Sequence, residues 1–248
     1  MRAHRLVSLA VLALLVALAG CRSNPSVAAY LGDRTITVAE VDGIVSGVNA
    51  VGEERLAARQ ALLDALRAGT AVGEPPPEAT LPLVHTDAAQ VVSLMALRQV
   101  GERLLSERGL PTAPRASEVF EAIFGLPASD PYVRLWLDYW QVVQPIVAAQ
   151  PERPLTDDEA GRFYAALTDA GQVPGGVGYD EMIADLKRYP AFGAAASAQE
   201  ALAAAASGVT INPRYGGLVL PAILSLPSGP VPIDIPFPDD GKVPVEEA

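Results

Sequence analysis

The sequence predicts a mainly α-helical domain with a few short strands. Apolar residues recur at helical spacing in one segment after another across residues 38–206. Two segments open with capping boxes, Thr37-Val38-Ala39-Glu40 and Thr156-Asp157-Asp158-Glu159. In each the Thr hydroxyl and the Glu carboxylate serve backbone N–H groups that the helix start leaves orphaned. Strand-like patterns are confined to residues 28–31 with Ile36, and to residues 209–212.

In chain order, residues 28–31, a turn at 32–35 and a return at Ile36 precede the first capped helix, which carries Val38, Val41, Ile44, Val45 and Val48. Ile36 and Val41 are placed for the hydrophobic staple. Losing the Thr37 cap should cost about 1 kcal/mol. A second helical pattern covers residues 53–67, with Leu56, Leu62, Leu63 and Leu66 apolar. Pro75, Pro76, Pro77 and Pro82 make residues 73–82 a loop. The longest pattern, residues 87–108, carries Val91, Leu94, Met95, Leu97, Val100, Leu104 and Leu105, with Gly109 and Pro111 as stop signals. A short helix follows at 116–124. Asp130 and Pro131 then start an aromatic-rich helix with Trp136, Tyr139 and Trp140. The Thr156 helix and two more, at residues 179–189 and 191–206, complete the set. Leu218-Val219-Leu220 and Ile223-Leu224 are apolar but short. Rich in Pro and acid, residues 227–248 read as a mostly disordered tail.

The N-terminus reads as an export signal. Arg2, His4 and Arg5 precede an apolar run at residues 6–19, broken only by Ser8. That run is about 14 residues, short of the roughly 20 needed to span a bilayer. It ends in Leu18-Ala19-Gly20-Cys21, and Cys21 is the only cysteine. This resembles a bacterial lipobox, in which the cysteine sulfur takes a diacylglyceryl group and cleavage falls between Gly20 and Cys21. The expected organisation is a signal peptide at 1–20, a lipid-anchored linker at 21–26, a helical domain at 27–226 and the tail at 227–248. The linker of about five residues reaches at most roughly 18 Å, so the domain is held close to the membrane.

Composition narrows the function. The formal net charge is −11, and loss of Arg2 and Arg5 with the signal takes it to −13. An acidic surface does not suit nucleic acid, nor docking on anionic lipid. With one cysteine, no intramolecular disulfide forms. His85 is the only histidine after the signal, so a site with two His zinc ligands is excluded. No Gly-rich phosphate loop is present. No cofactor, metal site or catalytic residue is expected. Asp157 and Asp158 read as helix N-terminal charge.

Three pieces together carry a resemblance. They are VAAYLGDRTITVAEVD at residues 27–42, LRQVGERLLSERGLP at 97–111 and PLTDDEAGRFYAA at 154–166. In this order they resemble the N-terminal chaperone module of the SurA/PrsA peptidyl-prolyl isomerase group. The match is nearest to lipoproteins of high-GC Gram-positive bacteria that end in Asn-Pro-Arg-Tyr-Gly, here residues 212–216. The stretch between the Thr156 helix and Asn212 is too short for a parvulin isomerase domain and lacks its paired histidines. The resemblance implies a multi-helix module closed by a small sheet, with the strand at 28–31 paired to the strand at 209–212. It implies a lipid-anchored extracytoplasmic protein that binds unfolded or exported polypeptides in apolar grooves, without isomerase activity. The alternatives are an envelope scaffold with one fixed partner, or an isomerase.

Trp136, Tyr139, Trp140 and Met95 are the candidate client contacts. Trp136, Tyr139 and Trp140 lie on one helical stripe, and such a stripe is more often core. Replacing Cys21 with Ser should release the protein from membranes or leave the precursor uncleaved. Fractionation and mass spectrometry test this, and a processed, membrane-bound variant overturns the lipobox.

Overall fold

The computed structural model describes residues 24–70, 73–173, 175–226 and 229–238. The signal segment, Gly20, Cys21 and residues 239–248 lie outside the described residues. The fold is mainly helical, with antiparallel sheets of three and two strands among the described residues.

β1 (Val27–Leu31) and β2 (Arg34–Thr37) form a hairpin that runs into α1 (Val38–Arg67). Thr37 and Glu40 make the expected capping box. Where two helices were expected, α1 is one helix of 30 residues. Gly52 does not break it. A Cβ there would stand 2.1 Å from the Val84 carbonyl oxygen, so the glycine marks a close backbone approach. Arg55 is 3% exposed. Its guanidinium donates to the carbonyls of Pro82 (2.7 Å), Phe124 (2.8 Å) and Gly125 (2.6 Å). Arg59 donates to Ala79 and Leu81. These bonds fasten the proline-rich segment, which contains the short α2 (Pro77–Thr80), to α1. Farther along α1, Leu56, Leu63 and Leu66 are exposed rather than core.

α3 (Ala88–Arg108) is the central helix. Asp87 caps it and Gly109 closes it in the left-handed conformation. Buried residues fall on all sides of it, including Val91, Val92, Leu94, Leu97 and Val100, so it packs against elements all round. α5 (Pro131–Ala148) packs beside it, and α4 (Ser117–Phe124) packs on α5. Pro145 lies within α5 and has no N–H. The Gln141 carbonyl is thereby free to accept from Ala113 N–H at 2.8 Å. Phe120, Phe124, Tyr132, Trp136 and Tyr139 form an edge-and-tilt aromatic cluster; the Phe124–Tyr132 ring centroids are 5.1 Å apart.

α6 (Asp157–Asp169) has the second capping box. Glu159 there also takes a two-pronged contact from Arg153, at 2.6 and 2.8 Å. The Arg153 guanidinium holds the Glu159 carboxyl down at about 2. α7 (Tyr179–Lys187) and α8 (Pro190–Ala205) follow. In α8, Gly193 lies under Arg153, where a Cβ would meet the carbonyl oxygen at 1.9 Å.

β3 (Val209–Ile211) pairs with β1, giving the order β2-β1-β3. Ala29, Tyr30 and Leu31 face Ile211, Thr210 and Val209. Asn212 extends the seam by donating its side-chain N–H to Val27 O. The early and late strands thus close the helical region as expected.

The C-terminal part differs from expectation. The short apolar pieces after Gly217 belong to one strand, β4 (Val219–Leu226), and residues 229–236 are not a disordered tail but its partner, β5 (Gly229–Pro236). The proline content misleads because of register. Pro230, Pro232 and Pro236 face Ser225, Ile223 and Val219, at every second pair. Pairs alternate between those that exchange N–H···O bonds and those that do not, so all three prolines fall where no ladder N–H is required. Between them, Ile233 and Ile235 are buried.

Gly52→Ala and Gly193→Ala should each destabilise the protein by about 2 kcal/mol or more, because a backbone carbonyl blocks the methyl. Urea unfolding of each variant checks this, with Gly47→Ala, where a Cβ meets open space within the same helix, as the control expected to gain about 0.5–1 kcal/mol.

Candidate functional site

An apolar groove of about 960 Å3 lies among the helices and the hairpin. Five elements build it. α5 supplies Tyr139, Trp140, Val143, Gln144 and Val147; α6 supplies Phe163 and Leu167; α7 supplies Met182, Asp185 and Leu186. α8 adds Ala191, Phe192 and Ala195, and β4 adds Leu220, Pro221, Ala222, Ile223 and Leu224. Tyr189, 60% exposed, stands at the rim. The volume falls in the range of ligand pockets, which are apolar with few polar groups. Here the side-chain polar groups are those of Gln144, Gln172, Asp185, the Trp140 indole and the two tyrosines.

Trp136 and Tyr139 are core residues, 0% and 1% exposed. The Trp136 ring is enclosed by Phe120, Phe124, Tyr132 and Tyr139 and does not reach the groove. Its place on the stripe is a core place, as amphipathic packing requires. Tyr139 contributes to the groove wall from its buried position, and its hydroxyl donates to Pro221 O at 2.7 Å. Burial pushes its pKa well above the ordinary value. Trp140 is half-buried and lines the groove. Met95, on α3, does not line it. His85 is an exposed loop residue and does not line the groove. Phe163, Met182, Leu186, Phe192 and Ile223 are among the groove residues that sequence reasoning missed. Each reads as core on its own helix or strand, and only the convergence of the elements turns them to one space.

Behind the groove lies a polar cluster that fixes the β4–β5 hairpin to the helices. Gln90 of α3 donates to Asp234 Oδ2 of β5 at 2.8 Å. The Gln90 carbonyl oxygen accepts from Tyr132 OH (2.7 Å) and Thr86 Oγ1 (2.6 Å). Gln199 of α8 donates to the carbonyls of Ile235 and Pro236. Burial pushes the Tyr132 hydroxyl up to about 12 and the Asp234 carboxyl up to about 6. Asp234 Oδ1 has no partner among the described residues, and Asp87 adds a nearby like charge.

No family model, no curated protein and no solved structure matches this chain.

The folded-state pKa of Asp234 lies above its ordinary 3.8, so the folded protein retains that proton between about 4 and 6. Its contribution to stability is therefore greatest below pH 4 and declines as pH rises through about 6. Asp234→Asn should raise stability at pH 7 by about 1–2 kcal/mol. It should leave stability near pH 4 unchanged relative to the parent protein. Chemical unfolding at the two pH values provides the comparison.

Proposed function

We propose that this protein is a non-catalytic, chaperone-like binder of unfolded or exported polypeptides. In this reading the lipid on Cys21 holds it at the outer face of the cell membrane, and the fold is a SurA/PrsA-type N-terminal module without an isomerase domain. The groove is the observation that carries the binding part. It offers about 960 Å3 of mainly apolar space between α5, α6, α7, α8 and β4. Removing apolar surface from water yields about 25 cal/mol per Å2 without reading sequence. Met182 and the aromatic rings supply a surface that accommodates varied side chains. The β1–β3 seam and the capped helices in order support the module assignment.

The purified protein should slow the aggregation of reduced insulin B chain at near-stoichiometric ratio. Met182→Asp, which places a charge in the groove, should weaken that effect several-fold with the thermal transition retained. No effect on this and several other unfolded clients overturns the reading. Equal potency of parent and variant removes the groove from it. One co-purifying protein, with no action on generic clients, would instead favour a fixed-partner adaptor.

A further inference from the structure

The groove runs along an open strand edge. Side chains of a strand alternate between its two faces, so a cavity lying on one face touches every second residue. Here five consecutive residues of β4, residues 220–224, line the groove, and no described residue of β5 does. The groove therefore borders the edge of β4 that faces away from β5.

The register shows which backbone groups point into that edge. Pro236, Pro232 and Pro230 have no N–H, so the pairs Val219–Pro236, Ile223–Pro232 and Ser225–Pro230 are the ones that exchange no ladder bonds. Pro221–Asp234 falls in the same alternating set. The backbone groups of Val219, Pro221, Ile223 and Ser225 then point outward. Two observations agree: Val219 N–H donates to Ser93 Oγ at 3.1 Å, and Pro221 O accepts from Tyr139 OH. Past Pro221 the side-chain caps stop. Neither the N–H nor the C=O of Ile223 has a hydrogen-bond partner beyond the hairpin among the described residues. The other edge of the hairpin is different. Its outward positions are Pro230, Pro232, Asp234 and Pro236, and three of the four lack a donor, which blocks strand addition.

We propose that an extended polypeptide segment adds to β4 as a third strand at Ile223, placing apolar side chains in the groove. This rests on the groove reading above and names its binding mode. Main-chain bonds to Ile223 would supply sequence-independent affinity, and the groove would select apolar side chains. Charge adds a requirement. The protein carries −11, and Asp185, the only carboxylate lining the groove among the described residues, is already paired with Arg188 at 2.8 Å, so the preference is set by the net charge. The occupant is therefore an apolar stretch with basic flanks, not an acidic one.

The probe is a fluorescein-labelled peptide, Lys-Lys-Val-Thr-Val-Thr-Val-Lys-Lys, beside the same peptide N-methylated at its five central residues. Methylation keeps the apolar side chains and removes the amide donors. Fluorescence anisotropy should show saturable binding of the first and at least a tenfold loss for the second. Ile223→Pro deletes the outward N–H as Pro221 does naturally, and should lose at least tenfold in affinity. Ile223→Ala, which keeps the N–H, should lose only a few-fold, and thermal melting confirms that both variants fold. Equal binding of the two peptides, or equal loss in the two variants, overturns strand addition and leaves the groove reading standing. Absent peptide binding with insulin aggregation still slowed does the same. Absence of both overturns both. Binding of lauric acid without peptide binding, or a solution dimer that Ile223→Pro dissociates, assigns the edge to another occupant and overturns the proposal.

Discussion

The groove depends on how the β4–β5 hairpin satisfies its backbone. A two-stranded ribbon has little stability alone, and its edge carbonyls and amides must find partners once buried. Ser93, Tyr139 and Gln199 provide them from three helices, and Gln90 holds Asp234. These contacts tie β4 to α3 and α5 and tie β5 to α3 and α8, and so hold the hairpin that forms one wall of the groove. Tyr139 illustrates the economy: one buried side chain belongs to the aromatic core, to the groove wall and to the cap on Pro221. The cost is concentrated at Asp234, whose carboxyl is held in surroundings that favour its neutral form.

A second set of polar contacts centres on Arg55. The Arg55 guanidinium is buried against three carbonyl oxygens and bonds no carboxylate among the described residues. Its charge is met by dipoles from the proline-rich segment and from the end of α4, which ties both to α1. A buried charge satisfied in this way is expensive to orphan, so the loop at residues 79–82 and the C-terminus of α4 are constrained jointly. Gly52 and Gly125 share the arrangement. The first allows Val84 to approach α1, and the second takes φ +60 beside Pro82 and Arg55.

Local chemistry was legible in the sequence and assembly was not. Thr37 with Glu40, Thr156 with Glu159, and Gly109 announce helix ends because each acts within one turn of the chain. The β1–β3 seam followed from a resemblance in element order, not from Ala29 or Ile211 themselves. β5 escaped because Pro230, Pro232 and Pro236 have the composition of an unstructured tail, and only pairing register shows that none occupies a ladder position. The continuity of α1 through Gly52 was not legible for a similar reason: the role of that glycine lies in Val84, more than 30 residues away. Trp136 and Trp140 sit one helical turn apart, yet one is core and the other lines the groove. Stripe analysis does not separate them, since the groove is bounded by four further elements.

The three-stranded sheet has a mechanical consequence. β1 is the middle strand, bonded to β2 on one edge and β3 on the other. Any pull transmitted through residues preceding Asn24 arrives at β1 first. To yield, β1 must break with both neighbours together, and Asn212 adds a side-chain bond at Val27, where the load enters. The sheet is therefore a strain relief: tension on the N-terminal segment is absorbed there before it reaches the helices that shape the groove.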